Sequence, residues 1–139
     1  MLTPELLDTY NSTIFIVDAA HSFCVGQPLP EALVHWLDNN NATAGVILGA
    51  ECPYSQPTTD EENELRHQRL IAECNARALA WLPAIGRCDH WQERHLFVAG
   101  LTNAEAIDFC RRYEQNSVVM CEAGGLARLV LGSQDSAAE

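Results

Sequence analysis

Two groups of polar side chains stand where the apolar pattern calls for burial, and buried polar groups are costly unless they are paired or put to use. The first begins where the apolar run of residues 44–48 breaks into Ala50-Glu51-Cys52-Pro53-Tyr54-Ser55, and it continues through Asn63, Arg66 and His67. At about 100° per residue, Asn63, His67, Leu70 and Cys74 share one helical stripe, which turns an amide and an imidazole toward the core. The preceding strand delivers residues 51–55 beside the start of that helix, where free N–H groups favour an anion or a carbonyl. On this reading Asn63, His67 and Ser55 floor a pocket, with Glu51 in its loop and Arg66 at its rim. The plainer account is structural: Asn63 bonds the loop, His67 is a core histidine and Arg66 pairs with Glu62.

The second group is Trp91 and Glu93, with Asp89 before them and Gln115 and Asn116 further on. Glu93 opens an apolar strand, where desolvation raises a carboxyl pKa toward the range of a general acid or base. Gln115 and Asn116 precede another apolar strand, and their amides are suited to reading a polar ligand. In an enzyme, Glu93 or His67 would be the acid–base group and Asn63 and Asn116 the polarising donors. The structural account pairs Glu93 with Arg94 or Arg87. The two groups meet only if the strand carrying Glu93 runs antiparallel to the one ending at Leu48, or if the loop over residues 83–92 carries the chain back.

Other chemistries find less support. Cys88, His90, His95 and His67 are potential ligands, but their spacing is not that of a zinc site and no Cys-x-x-Cys pair exists, so no metal site is assigned. Cys52 is an alternative nucleophile, placed where a helix start would lower its thiol pKa. There is no glycine-rich phosphate loop and no Gly-x-Ser-x-Gly elbow, and the cofactor stays unknown.

The elements that must position these groups are legible in outline. Thr3-Pro4-Glu5 opens a short helix over residues 4–10, with a capping hydroxyl before a proline at the first helical position. Residues 13–17 form a β-branched strand. Leu29, Leu33, Trp36 and Leu37 mark a helix that Asn39-Asn40-Asn41 ends. Residues 44–48 are an apolar central strand. Thr59-Asp60-Glu61-Glu62 reads as a capping box for a long helix over residues 59–82, with Leu70, Cys74, Ala78 and Trp81 as its core stripe and Pro83 and Gly86 closing it. A strand over residues 93–99 and a second capping box, Thr102-Asn103-Ala104-Glu105, follow. Residues 117–121 and 127–131 flank the turn signal Ala123-Gly124-Gly125 as a C-terminal β-hairpin. The expectation is an α/β (α+β) sandwich, a mixed sheet packed with helices, as one domain over residues 1–132 with a flexible tail over 133–139.

Composition bounds the function. The chain has 139 residues, 47% of them hydrophobic, and 19 acidic against 8 basic side chains, for a net charge of −11. Such a surface repels phosphate backbones and anionic lipids, so neither nucleic acid nor membrane is expected as a partner. No secretory or spanning segment is read, and the six cysteines follow no disulfide framework, which points to the cytoplasm.

The motifs resemble those of bacterial proteins grouped as the domain of unknown function family 3293. That family's pattern is a strand ending in Thr-Ala-x-Asn-Pro-x-Ser, a helix with Asn and Arg near its start, Trp-x-Glu-x-Ser, a strand ending in Gly, and Gln-Asn-Ala-(Ile or Val)-Val. The counterparts here are Gly49-Ala50-Glu51-Cys52-Pro53-Tyr54-Ser55, Asn63 with Arg66, Trp91-Gln92-Glu93-Arg94-His95, Gly100 and Gln115-Asn116-Ser117-Val118-Val119. Gly49 departs from a threonine, Cys52 from an asparagine and His95 from a serine. The resemblance implies which residues matter and no particular activity. The residues together lead to the expectation of a small polar or anionic ligand, nucleotide- or carboxylate-like, at the loop and the start of the long helix. Against it stands a regulatory or interaction module without catalysis, with a protein partner or a homodimer through the hairpin edge.

Overall fold

The computed structural model describes residues 2–133. The elements are α1 (Pro4–Ser12), β1 (Ile14–Val17), β2 (His21–Phe23), α2 (Glu31–Asn39), β3 (Ala44–Gly49), a 3₁₀ turn (Pro53–Ser55), α3 (Asp60–Ala76), β4 (Trp81–Cys88), β5 (Trp91–Ala99), α4 (Asn103–Arg112), β6 (Ser117–Glu122) and β7 (Arg128–Leu131). The strands form one seven-stranded sheet in the order β2-β1-β4-β5-β3-β6-β7. The fold is α+β, with β6 and β7 as the C-terminal hairpin. Apart from Ser133, the expected tail lies outside the described residues.

Period-two alternation splits the core in two. Val46, Leu48, Leu96, Val98, Val118 and Met120 face α3 and α4. Phe15, Val17, Ile47, Phe97 and Val119 face the other way, where Leu33 and Leu37 of α2 cover them. The sheet is thus sandwiched between helices.

Every strand pairing is antiparallel, which corrects the expected mixed sheet. The cause is β4, absent from the sequence reading. The long helix ends at Ala76, not near residue 82, and Trp81, Pro83 and Gly86 belong to a strand. Ala78 takes a left-handed φ of 54°. The Ala78 and Leu79 N–H groups then donate back to the Asn75 and Cys74 carbonyls at 3.0 and 2.9 Å, the Schellman arrangement. Pro83 is tolerated because its carbonyl accepts the Asp18 N–H at 2.8 Å, so its donorless nitrogen faces the end of β1, where that ladder finishes.

The caps are largely those expected. Thr3 Oγ1 accepts the Leu6 N–H at 3.2 Å, and Thr102 and Glu105 form the full box on α4. The box at α3 is half-made: Thr59 accepts the Glu62 N–H at 3.1 Å, while Glu62 turns its carboxylate to Arg66.

Candidate functional site

The antiparallel pairing resolves the topological question. Gly49 at the end of β3 lies opposite His95 near the start of β5, and Ile47 lies opposite Val119 of β6. The loop after β3, the head of β5 and the head of β6 therefore meet at one end of the sheet.

That loop is strained. Cys52, Tyr54 and Ser55 adopt φ values of 50°, 52° and 61°, a region costing non-glycine residues on the order of 1 kcal/mol each. Bonds from all sides hold it. Asn63 Oδ1 accepts the Cys52 N–H at 2.9 Å and its Nδ2 reaches Cys52 Sγ at 3.6 Å. The Tyr54 N–H donates to the Glu114 carbonyl at 2.6 Å, and Gln115 Nε2 donates to the Glu51 carbonyl at 3.0 Å. Glu51, only 6% exposed, accepts the Arg94 backbone N–H at 3.0 Å and its guanidinium at 2.8 and 2.7 Å. Arg94 passes on to Glu64 at 2.8 Å. Arg66 is held by Glu62 at 3.2 Å and Glu114 at 3.1 Å.

On the α1 side of the sheet the same loop edges a cavity of about 430 Å3. Ser55, Trp91, Glu93, Gln115 and Asn116 line it, whereas Glu51, Asn63, Arg66 and His67 do not. Phe15, Ile47 and Val119 give it an apolar floor, and Leu6, Thr9 and Tyr10 of α1 roof it. Tyr10 was missed by sequence reasoning, although it ties the roof down: its hydroxyl bonds Ser55 Oγ at 2.5 Å and accepts from Asn116 Nδ2 at 2.9 Å. Nothing local marks a lone tyrosine on an exposed helix for that role.

Burial raises the Glu93 carboxyl to about 7. The Trp91 indole N–H, bonded to Glu93 Oε2, offsets part of the rise, and the Glu51 carboxylate adds to it. A carboxyl in this range has the acidity that general acid–base chemistry near neutral pH requires.

His95 also lines the cavity. Its imidazole occupies space left by two glycines: a Cβ at Gly49 would stand 2.7 Å from Nδ1, and one at Gly86 2.8 Å from Nε2. Glycines inside strands were the available sign of that close approach. Burial pushes His95 down to about 4, and its Nδ1 is buried without a hydrogen-bond partner. His67 is a buried histidine on α3, held below its ordinary pKa by burial and then by Arg94.

Cys52 corrects another expectation. Its thiol pKa is raised, not lowered, first by burial and then by Glu93. Among the described residues no three His, Cys, Asp or Glu side chains gather as a metal site; Cys88, His90 and His95 border the same cavity without forming one, and His67 lies outside it. Among the same residues no helix is long and apolar enough to cross a membrane.

The fold defines an α+β domain whose antiparallel sheet opens at one end onto a cavity roofed by α1. The chain belongs to the family described as "Protein of unknown function (DUF3293)", which matches residues 48–118. That stretch carries Ser55, Trp91, Glu93, Gln115 and Asn116, while α1 lies outside it. Neither the curated proteins nor the solved structures searched contain a match.

Proposed function

We propose that this chain binds a small polar organic molecule in the cavity beneath α1, with Glu93 as the group that hydrogen-bonds it or exchanges a proton with it. One observation carries the reading: a carboxyl held near 7 opens into a cavity of about 430 Å3, edged by a strained loop and by polar side chains from separate segments. That volume is within the ordinary range of ligand sites, and titratable groups with shifted pKa values cluster at such sites. The start of α3 supports the reading less well as a ligand site. Thr59 already caps it, Asp60, Glu61 and Glu62 crowd its first turn, and Arg66 is neutralised by two carboxylates. Six free cysteines suit action in a reducing compartment, and we place the protein in the cytoplasm.

A thermal-shift screen of the purified protein against metabolite-sized compounds tests this. Saturation at 100 times Kd adds about 2.7 kcal/mol, on the order of 10 °C in Tm. Hits should disappear in Thr9→Trp, which fills the cavity from α1 without replacing any residue of the sheet. Hits that survive Thr9→Trp, or a screen without hits, would sink the proposal.

A further inference from the structure

The chemistry of the cavity wall narrows its occupant. The chain has eight basic side chains, all arginine, and none lines the cavity. Arg66, Arg77, Arg94 and Arg112 are bound to carboxylates elsewhere. The acids at the cavity are Glu93 and Asp89. An anion entering here meets like charge with no counter-charge in a protein already carrying −11. A phosphate or carboxylate ligand is therefore disfavoured, and a donor-rich or cationic one is favoured.

Two further features give that cation a shape. Trp91 is 37% exposed, a large aromatic surface left open at the cavity. Its N–H holds Glu93 Oε2, which orients the carboxyl, while among the described residues Oε1 receives no hydrogen bond. An oriented carboxylate beside an open indole matches a planar group with paired N–H donors, through two parallel hydrogen bonds and ring contact. A simple alkyl ammonium would bring a single point charge and leave the apolar floor of Phe15, Ile47 and Val119 uncovered.

We propose that the cavity takes a planar aromatic or heteroaromatic molecule bearing an amidine-type edge, with its paired N–H groups on Glu93 and its ring against Trp91. This rests on the reading of the cavity as a ligand site.

Trp91 bonds Glu93; His95 of β5, Cys88, Asp89, His90 and Tyr10 of α1 line the cavity with it, and Glu51 and Cys52 after β3 interact with it electrostatically. With the Glu93 carboxyl near 7, a ligand that requires its carboxylate gains about tenfold in affinity between pH 6 and pH 8.

The test titrates wild type and Glu93→Gln with benzamidine, 2-aminobenzimidazole, benzoate and adenosine monophosphate, following indole fluorescence and Tm. Both amidine-type probes should bind; benzamidine, a cation throughout this range, should bind about tenfold tighter at pH 8 than at pH 6, while 2-aminobenzimidazole, which loses its own proton near neutral pH, should gain much less. Glu93→Gln should weaken both about ten- to hundredfold and remove the pH dependence of benzamidine binding. The pH comparison needs only the wild type, so a poorly folding variant leaves the inference testable. Benzoate or adenosine monophosphate binding as tightly as benzamidine would overturn the inference, and so would benzamidine affinity indifferent to pH and to Glu93→Gln. Either result leaves the broader ligand-site reading standing. If the metabolite screen produces hits that Thr9→Trp abolishes while both amidine-type probes fail, only the inference falls; if nothing binds, both fall.

Discussion

Glu93 and His95 are neighbours on one face of β5 whose pKa values burial moves in opposite directions, to about 7 and about 4. Burial favours the neutral form of each, and their contributions to stability have opposite slopes with pH. Glu93 binds its proton more tightly folded than unfolded, so its contribution is full below about 4.5 and is lost as pH rises through about 7. His95 binds its proton less tightly folded, so its contribution is present above about 6.5 and is lost as pH falls through about 4. Urea denaturation across pH 4 to 7 should show the two partly cancelling in wild type. Glu93→Gln should unmask a stability that rises with pH between about 4 and 6.5. A flat profile in that variant would refute the assignment to His95. A second prediction concerns two of the three departures from the family pattern, Gly49 and His95, which are direct cross-strand partners. With a Cβ at 49 falling 2.7 Å from the imidazole, the two positions are sterically coupled. Gly49→Thr alone should cost roughly 1–3 kcal/mol by overpacking, and His95→Ser should rescue much of it. Additive costs in a double-mutant cycle would show the two positions to be independent.

At the scale of elements, three helices end in the same left-handed turn without a glycine. Asn41, Ala78 and Glu114 take φ values of 57°, 54° and 56°, and the following N–H groups at 42, 79 and 115 return to the Leu37, Cys74 and Cys110 carbonyls at 2.9 Å. The turn after α4 matters most for the cavity, because it delivers Gln115 and Asn116 and presents the Glu114 carbonyl to Tyr54. Ala78→Gly should stabilise the protein by about 0.5–1 kcal/mol, read as a higher Tm, since glycine removes the Cβ cost of the left-handed residue. Asn63→Ala at the other end of α3 should behave differently. It strips the acceptor from the Cys52 N–H and should cost roughly 1–3 kcal/mol, while ligand affinity of the protein that remains folded changes little. Lost binding with unchanged stability would move Asn63 from loop support into the site itself.

Across the whole molecule, α3 and α4 are joined over one core by a charged cluster centred on Glu73. Its carboxylate meets Arg112 at 2.6 Å, Tyr113 at 2.7 Å and Arg77 at 3.3 Å. Arg112 above all holds the Glu73 carboxyl down at about 2. A depressed acid contributes stability above its ordinary 4.5, and that contribution is lost as pH falls toward 2. The loss should be on the order of 2 kcal/mol, since Glu73 is mostly shielded while its arginine partners are screened by water. Glu73→Gln should lower Tm at pH 7 and flatten the decline below pH 4.5. An acid limb unchanged by this substitution would assign the loss to other carboxylates.

What the sequence determined by itself is what depends on near neighbours along the chain. Thr3, Thr59 and Thr102 announced their helices because a capping hydroxyl reaches only three residues ahead. The apolar runs at 44–48 and 117–121 made β3 and β6 legible to within a residue, and the turn signal at 123–125 marked the closing hairpin. Glu93 was marked by its place at the head of such a run, and Ser55, Gln115 and Asn116 by theirs beside others. Tertiary structure decided the rest. A three-residue strand, β2, and a strand broken by Pro83 and Gly86, β4, carry too little local pattern to be read, and they exist because neighbours complete their hydrogen bonds. Pairing direction is set between strands distant in sequence, and once β4 returned the chain, β5 ran antiparallel to β3. That direction brought Ser55, Glu93 and Asn116 around one cavity and left Asn63, Arg66 and Glu51 bracing its loop from the other side. A side chain's identity says what chemistry it can do; whether it faces a partner, a cavity or a neighbouring strand depends on contacts that no local pattern contains.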